Sequence, residues 1–202
     1  MNNGIFGWSG EAAPRGHAGE NGNLVHGLAQ WYTPGTYDLD VPAGVSVMWI
    51  TGRAGGGGGT SAFGSDNGAC GGEGGGTFAQ RVSVTPGARI RVTVGAGGAG
   101  GATVGSNGGA TSFGSLITLT GGAGGDLTQA FAAGGTGGNL PGRKGWYVAG
   151  TINEGGGGLH ASANGATSAG TAGPAGTGWG GTGGVNTFNG GAGGGGFLIA
   201  EW

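Results

Sequence analysis

Charge is scarce in this chain. Only 8% of the 202 residues are Asp, Glu, Lys or Arg, and the formal net charge is −2. No basic run is present, so nucleic acid is not an expected partner. Cysteine occurs once, as Cys70. A single thiol excludes an intrachain disulfide and says nothing of redox compartment; its place among small residues points to packing. Apolar runs are short, and none approaches the roughly 18 residues of a membrane-crossing helix. The first ten residues, MNNGIFGWSG, lack the basic region and apolar stretch of a signal peptide. Neither a spanning helix nor a leader is expected, and no window carries a convincing 3.6-residue period.

Glycine fills the space, at 62 of 202 residues. A collagen triple helix needs an unbroken Gly-X-Y period rich in proline, whereas here Gly-Gly pairs interrupt the period and there are 6 prolines. A flexible Gly/Ser linker is excluded by 6 Trp, 7 Phe and several clean strand patterns. The repeated unit is Gly-Gly-x-Gly-Gly, at 71–75, 97–101, 121–125, 134–138, 180–184 and 190–194. In an extended left-handed helix of about three residues per turn, Gly-Gly-x leaves two faces bare and sets every side chain on the third. The third column then reads Ala96, Ala99, Ala102; Thr120, Ala123, Asp126; Ala133, Thr136, Asn139; Trp179, Thr182, Val185; and Asn189, Ala192, Gly195. Rods with bare faces can approach backbone to backbone. Ordering each residue costs about 1–2 kcal/mol, most for glycine, so the rods need a frame of ordinary packed structure.

That frame is legible as strands. Tyr37, Leu39 and Val41 alternate with Thr36, Asp38 and Asp40, a half-buried strand, and VSVMWIT after the Pro42-Ala43-Gly44 turn is apolar on both faces. TFAQRVSV and RIRVTV flank Thr85-Pro86-Gly87 and are expected to form a hairpin. ATSF and LITLT form a shorter pair around Gly114-Ser115, and FLIAEW closes the chain as a strand expected to lie near the first. The expectation is an all-β sandwich over 35–202 with glycine rods between or beside its strands, preceded by an extended arm over 1–34 that attaches to a partner or sister subunit, a frayed terminus being the competing reading of that segment. The richer stretches DLTQAFAA, NLPGRKGWYVAGTINE and LHASANGATSAGTAGPAGTGW are expected as display loops.

No catalytic group can be argued. GxGxxG strings are expected by accident in so much glycine, and none opens a helix. Gly138 to Lys144 lacks the Ser or Thr of a phosphate loop, and GGAGGDLTQ is one unrepeated copy of a calcium nonapeptide. His17, His26 and His160 lack ligand spacing. Asp38 and Asp40 belong to a solvated strand face. The chain is read as not an enzyme, with no metal and no cofactor. Arg143, Lys144, Trp146 and Tyr147 bring cations and aromatics into one segment, the composition of binding hot spots and of surfaces that stack on sugars. Trp146 and Tyr147 as mere anchors of a loop is the competing reading, and both stand open here.

The succession TYDLDVPAGVSVMWITGRAGGGGG, TFAQRVSVTPGARIRVTVGAGGAGG, GGATSFGSLITLTGGAGG and GGAGGGGFLIAEW resembles the glycine-rich domain of bacteriophage tail fibres and related virion proteins, over residues 35–202. The resemblance implies a jelly-roll-like sandwich with polyglycine II helices, similar to the glycine-rich region of anaplastic lymphoma kinase-type receptors. It also implies a virion location, a homo-oligomer with a trimer favoured, contacts to other virion proteins through residues 1–34, and loops facing a bacterial surface glycan or outer-membrane protein. The alternatives are a capsid decoration or other architectural virion protein, and an ice-binding protein, for which Thr136 and Thr182 are too sparse a set.

Overall fold

The computed structural model describes residues 26–61, 69–126, 128, 131–146, 152–155, 159–162, 172–181, 184 and 189–202. Among these residues there is no helix, so none is long and apolar enough to cross a membrane. The strands are β1 Leu28–Trp31, β2 Gly35–Asp40, β3 Val47–Arg53, β4 Gly76–Ser83, β5 Arg89–Val94, β6 Thr111–Phe113, β7 Ile117–Leu119, β8 Phe131–Ala132, β9 Gly145–Trp146, β10 Ile152–Gly155, β11 Leu159–Ser162 and β12 Phe197–Glu201.

Two antiparallel sheets, ordered β1-β12-β3-β4 and β2-β5-β6-β7, make a jelly-roll-like sandwich. Period-two alternation sends Ala29, Trp31, Met48, Ile50, Val82, Leu198 and Ala200 from the first sheet into one core with Leu39, Ile90, Val92, Val94, Phe113, Ile117 and Leu119 from the second. The expected all-β class holds, and the pair around Gly114-Ser115 is β6 and β7.

Three strand expectations are corrected. β4 and β5 are not a hairpin: β4 pairs with β3, and β5 with β2 and β6. The Thr85 to Ala88 turn, closed by the Ala88 N–H on the Thr85 carbonyl at 3.0 Å, carries the chain from one sheet to the other. Adjacent alternating strands around Pro-Gly fit a hairpin and a sandwich crossing equally well, and burial on opposite sheets decides. Second, β1 lies inside the segment assigned to an arm; β12 is seated between β1 and β3, so the sandwich includes residues 28–31. Third, the stretches expected as loops contain β8 to β11, a small sheet ordered β11-β10-β9-β8. Residues 1–25 of the expected arm lie outside the described residues.

The sandwich strands run on into the glycine rods. β3, β5 and β7 continue into 54–60, 95–101 and 120–125, while 69–75, 105–109 and 190–196 lead into β4, β6 and β12. Rod 54–60 is the axis of the bundle. Its N–H groups donate in a period of three: Ala54 and Gly57 to Gly75 and Gly72, Gly55 and Gly58 to Gly109 and Ser106, Gly56 and Gly59 to Gly194 and Gly191, all at 2.8–3.0 Å. Its carbonyls accept with the same period, Gly55 and Gly58 from Gly122 and Gly125, Gly56 and Gly59 from Gly98 and Gly101, Gly57 and Thr60 from Gly181 and Gly184. Pairing numbers fall along the three acceptor rods and rise along the three donor rods, so three neighbours run antiparallel and three parallel. This is a polyglycine II bundle about one filled centre.

The enclosed rod has no side-chain column. A Cβ on Gly55, Gly56, Gly57 or Gly58 would land on the carbonyl of Ala96, Trp179, Ala123 or Ala99, each well inside 3.0 Å. None of these four glycines has positive φ, so an L-residue could adopt the backbone there and only space forbids it. Outer rods keep their third column: Ala96, Ala99, Ala102, Ala133, Thr136 and Ala192 are exposed. At the joint, fully buried Thr111 accepts the Gly95 N–H at 3.0 Å and donates to the Arg53 carbonyl at 3.1 Å, tying β5, β6 and β3 together where strand becomes rod.

Two glycines separate the causes. Gly44 has φ +87° and nothing within 4 Å of a Cβ, so Gly44→Ala should cost only the backbone strain, about 1–2 kcal/mol. Gly57→Ala must part packed backbones and should cost more than about 4 kcal/mol or abolish folding. Urea denaturation checks both, and equal effects would contradict the bundle. Thr111→Val leaves the buried Gly95 N–H without its acceptor and should lose about 1–3 kcal/mol by the same measurement.

Candidate functional site

The rods that leave the sheets and those that return must be joined at the end of the bundle away from the sandwich. Ser61, Ala69, Gly101, Asp126, Trp146 and Gly184 therefore mark one remote end, whereas the outer rod columns carry mainly Ala and Thr. Side chains of varied chemistry are gathered at that end by the topology itself.

Rod 69–76 brings the predicted residues there. It donates to three neighbours in turn, Gly71 and Gly74 to Gly181 and Gly178, Gly72 and Gly75 to Ala123 and Thr120, Glu73 and Gly76 to Arg143 and Leu140. Like the axial rod it is closed in, and its third column, Cys70 and Glu73, is buried. Segment 140–145, expected as loop, is thus a rod antiparallel to 69–76. Gly142 donates to Gly135 at 2.9 Å on its other side, and Gly145 is buried where a Cβ would reach the Gly71 carbonyl. Proline, arginine and lysine gave this rod the composition of a loop; polyglycine II geometry accepts proline because it needs no internal hydrogen bond.

Glu73 is 3% exposed and is the carboxylate of the bundle. It pairs with the Arg53 guanidinium, accepts the Arg143 N–H at Oε2 at 3.0 Å, and its own N–H donates to the Arg143 carbonyl at 2.9 Å. Burial, and then the nearby Arg143 charge, push the Arg53 guanidinium below its ordinary range. Arg53 ends β3 and Glu73 sits mid-rod, so the pair pins the frame to the bundle and fixes the backbone of Arg143. By contrast Asp40 and Arg89 pair at 2.7 Å on the solvent face of β2 and β5. The Arg89 hydrogen bond holds the Asp40 carboxyl below the usual range. Its contribution is present at neutral pH and is lost as pH falls through that lowered value, and salt screens it.

Of the residues singled out for binding, Arg143 and Lys144 are exposed. Trp146 follows in β9, in register with Phe131 of β8 and Glu154 of β10. Tyr147 lies outside the described residues. The structure thus holds Arg143, Lys144 and Trp146 on one rod-and-strand segment rather than on a free loop. Glu73, which orders that segment, stands in the sequence only as the variable residue of a glycine unit. A lone acid inside an otherwise neutral repeat was the available signal. Among the described residues no group of three His, Cys, Asp or Glu could hold a metal ion.

A family model for a glycine-rich domain matches residues 32–202, and the chain belongs to that family. No curated protein matches it.

Breaking the buried pair while keeping shape tests its role. Glu73→Gln leaves Arg53 uncompensated beside Arg143 and should destabilise by about 3–5 kcal/mol, whereas Asp40→Asn on the exposed pair should leave the denaturation midpoint unchanged within error. Equal midpoints for Glu73→Gln and the unaltered protein would remove Glu73 from this account.

Proposed function

Starting from membership of the glycine-rich domain family, we propose that this chain is a non-enzymatic phage virion protein, a tail-fibre or tail-tip domain whose remote end contacts a receptor on the bacterial surface. The observation that carries the reading is the enclosed axial rod. A bundle hydrogen-bonded on all sides holds what it carries with little conformational freedom left to lose, which lowers the entropic cost of binding. Arg143, Lys144, Trp146 and the adjoining Tyr147 are the contact residues of this proposal. Cation and aromatic side by side suit a surface glycan, where the ring stacks on a sugar face and the cations meet acidic groups, or an outer-membrane protein.

In the same reading the protein reaches the cell exterior within the released particle, assembles with further copies, three being the number the resemblance favours, and attaches to other virion proteins through the segment 1–34. No cofactor and no nucleic acid enter. A purely architectural virion role is the second reading, supported by the exposed apolar side chains Phe78, Val104 and Leu116. Ice binding is disfavoured, since the Thr120 and Thr136 hydroxyls, 3.2 Å apart, are engaged with one another.

Competition on cells separates the two main readings. Labelled protein should bind a susceptible bacterial strain and block phage adsorption. The triple variant R143A/K144A/W146A should lose at least about tenfold in affinity, in the range of hot-spot loss, with an unchanged melting temperature. Protein that neither binds nor blocks adsorption would leave the architectural reading and end the adhesin one.

A further inference from the structure

The two outer faces of the sandwich differ in kind. On the second sheet Thr36, Asp38 and Asp40 oppose Thr93, Arg91 and Arg89 in register, and the acids are answered within the chain, Asp40 by Arg89 at 2.7 Å and Asp38 by Arg91 at 3.9 Å. Such a face is complete in water.

The first sheet is not. Its outward row runs Leu28, Glu201, Trp49, Arg81 across β1, β12, β3 and β4. Trp49 is 42% exposed and Leu28 43%. Half-buried Val47, Phe197 and Ile199 lie about them, with Tyr32 stacked on Phe197 at 6.0 Å between ring centroids. Among the described residues neither Glu201 nor Arg81 has an ion-pair partner. They stand on opposite sides of the tryptophan.

We propose that this face is an isologous interface with a second copy of the chain, packed sheet on sheet about a two-fold axis that runs along β3 through Trp49. A rotation about that axis reverses the row across the strands. Arg81 of one copy then comes over Glu201 of the other, and Glu201 over Arg81, while Trp49 meets its own image at the centre. A two-fold axis running across the strands would instead set Arg81 over Arg81, so the charges select one orientation. An apolar centre, an aromatic anchor and a rim of opposite charges are the anatomy of a specific interface. Another route to association, pairing of the β4 edge, is blunted. β4 shifts register between Ile50 and Gly52, Ala79 takes φ 47°, and the Asn139 side chain occupies both the N–H and the carbonyl of Phe78, at 2.8 and 2.9 Å. The inference is independent of the receptor-binding reading, and it sets two copies against the three that the resemblance favours.

Sedimentation equilibrium of the full chain at micromolar concentration tests it. The unaltered protein should be a dimer. Arg81→Glu puts acid over acid at two symmetric places and should raise the dimer Kd by about tenfold or more. The double reversal R81E/E201R restores opposite charges and should return the Kd to within about threefold, a rescue that mere damage to the fold would not give. E201R alone repeats the like-charge contact if R81E does not fold. A monomeric or trimeric unaltered protein, or a double variant as weak as R81E, would overturn the proposal.

Discussion

One contact governs this molecule: the hydrogen bond from a glycine N–H on one extended rod to a carbonyl on the next, at a separation only a missing Cβ allows. Around residues 54–60 it is repeated on every side, to three antiparallel rods by donation and from three parallel rods by acceptance. Each bond contributes a net 0.5–1.5 kcal/mol or about that, while fixing each glycine costs about 1–2 kcal/mol. The rods are therefore near balance by themselves. What decides the outcome is that most rods are already held at one end by a strand.

The sandwich does that holding. Strands that alternate in direction hand their direction on to the rods, so five of the six neighbours of rod 54–60 inherit their direction from strands of the two sheets, and the sixth, through Gly181 and Gly184, continues none of them. Thr111 closes the joint by bonding both sides of it, and the Arg53 to Glu73 pair crosses from strand to rod. A buried ion pair is weak support for stability in general. Here it specifies register, because a slip of one residue on a three-fold rod would turn Glu73 away from Arg53.

Much of the frame could be read from the residues. Leu39, Ile90, Val92 and Val94 alternate with polar neighbours because one face of each strand meets the core, and that face is where they lie. The partners of β4 and β5 could not be read, since a Pro-Gly turn serves a hairpin and a sheet-to-sheet crossing alike. In the bundle the outer rods were legible and the centre was not. A Gly-Gly-x period announces itself by its third residue, and the axial run of five glycines at 55–59 has none. Segment 105–109 was missed because Ser106 and Asn107 dilute its glycine, and 140–145 because its proline and cations imitate a loop. For the same reason the sequence displays the chemistry of Arg143 and Lys144 but neither the rigidity of their rod nor the support of Glu73, which lies 70 residues before Arg143.

Amide hydrogen exchange of the axial glycines bears most directly on all of this. If the rod 54–60 is enclosed and bonded as described, the N–H groups of Gly55 to Gly58 exchange only through global unfolding, with the same free energy of opening as Ile50 and Val92 in the sandwich core. Exchange of those glycines at the rate of an unprotected chain, while Ile50 and Val92 stay protected, would mean that the rods are not a bundle.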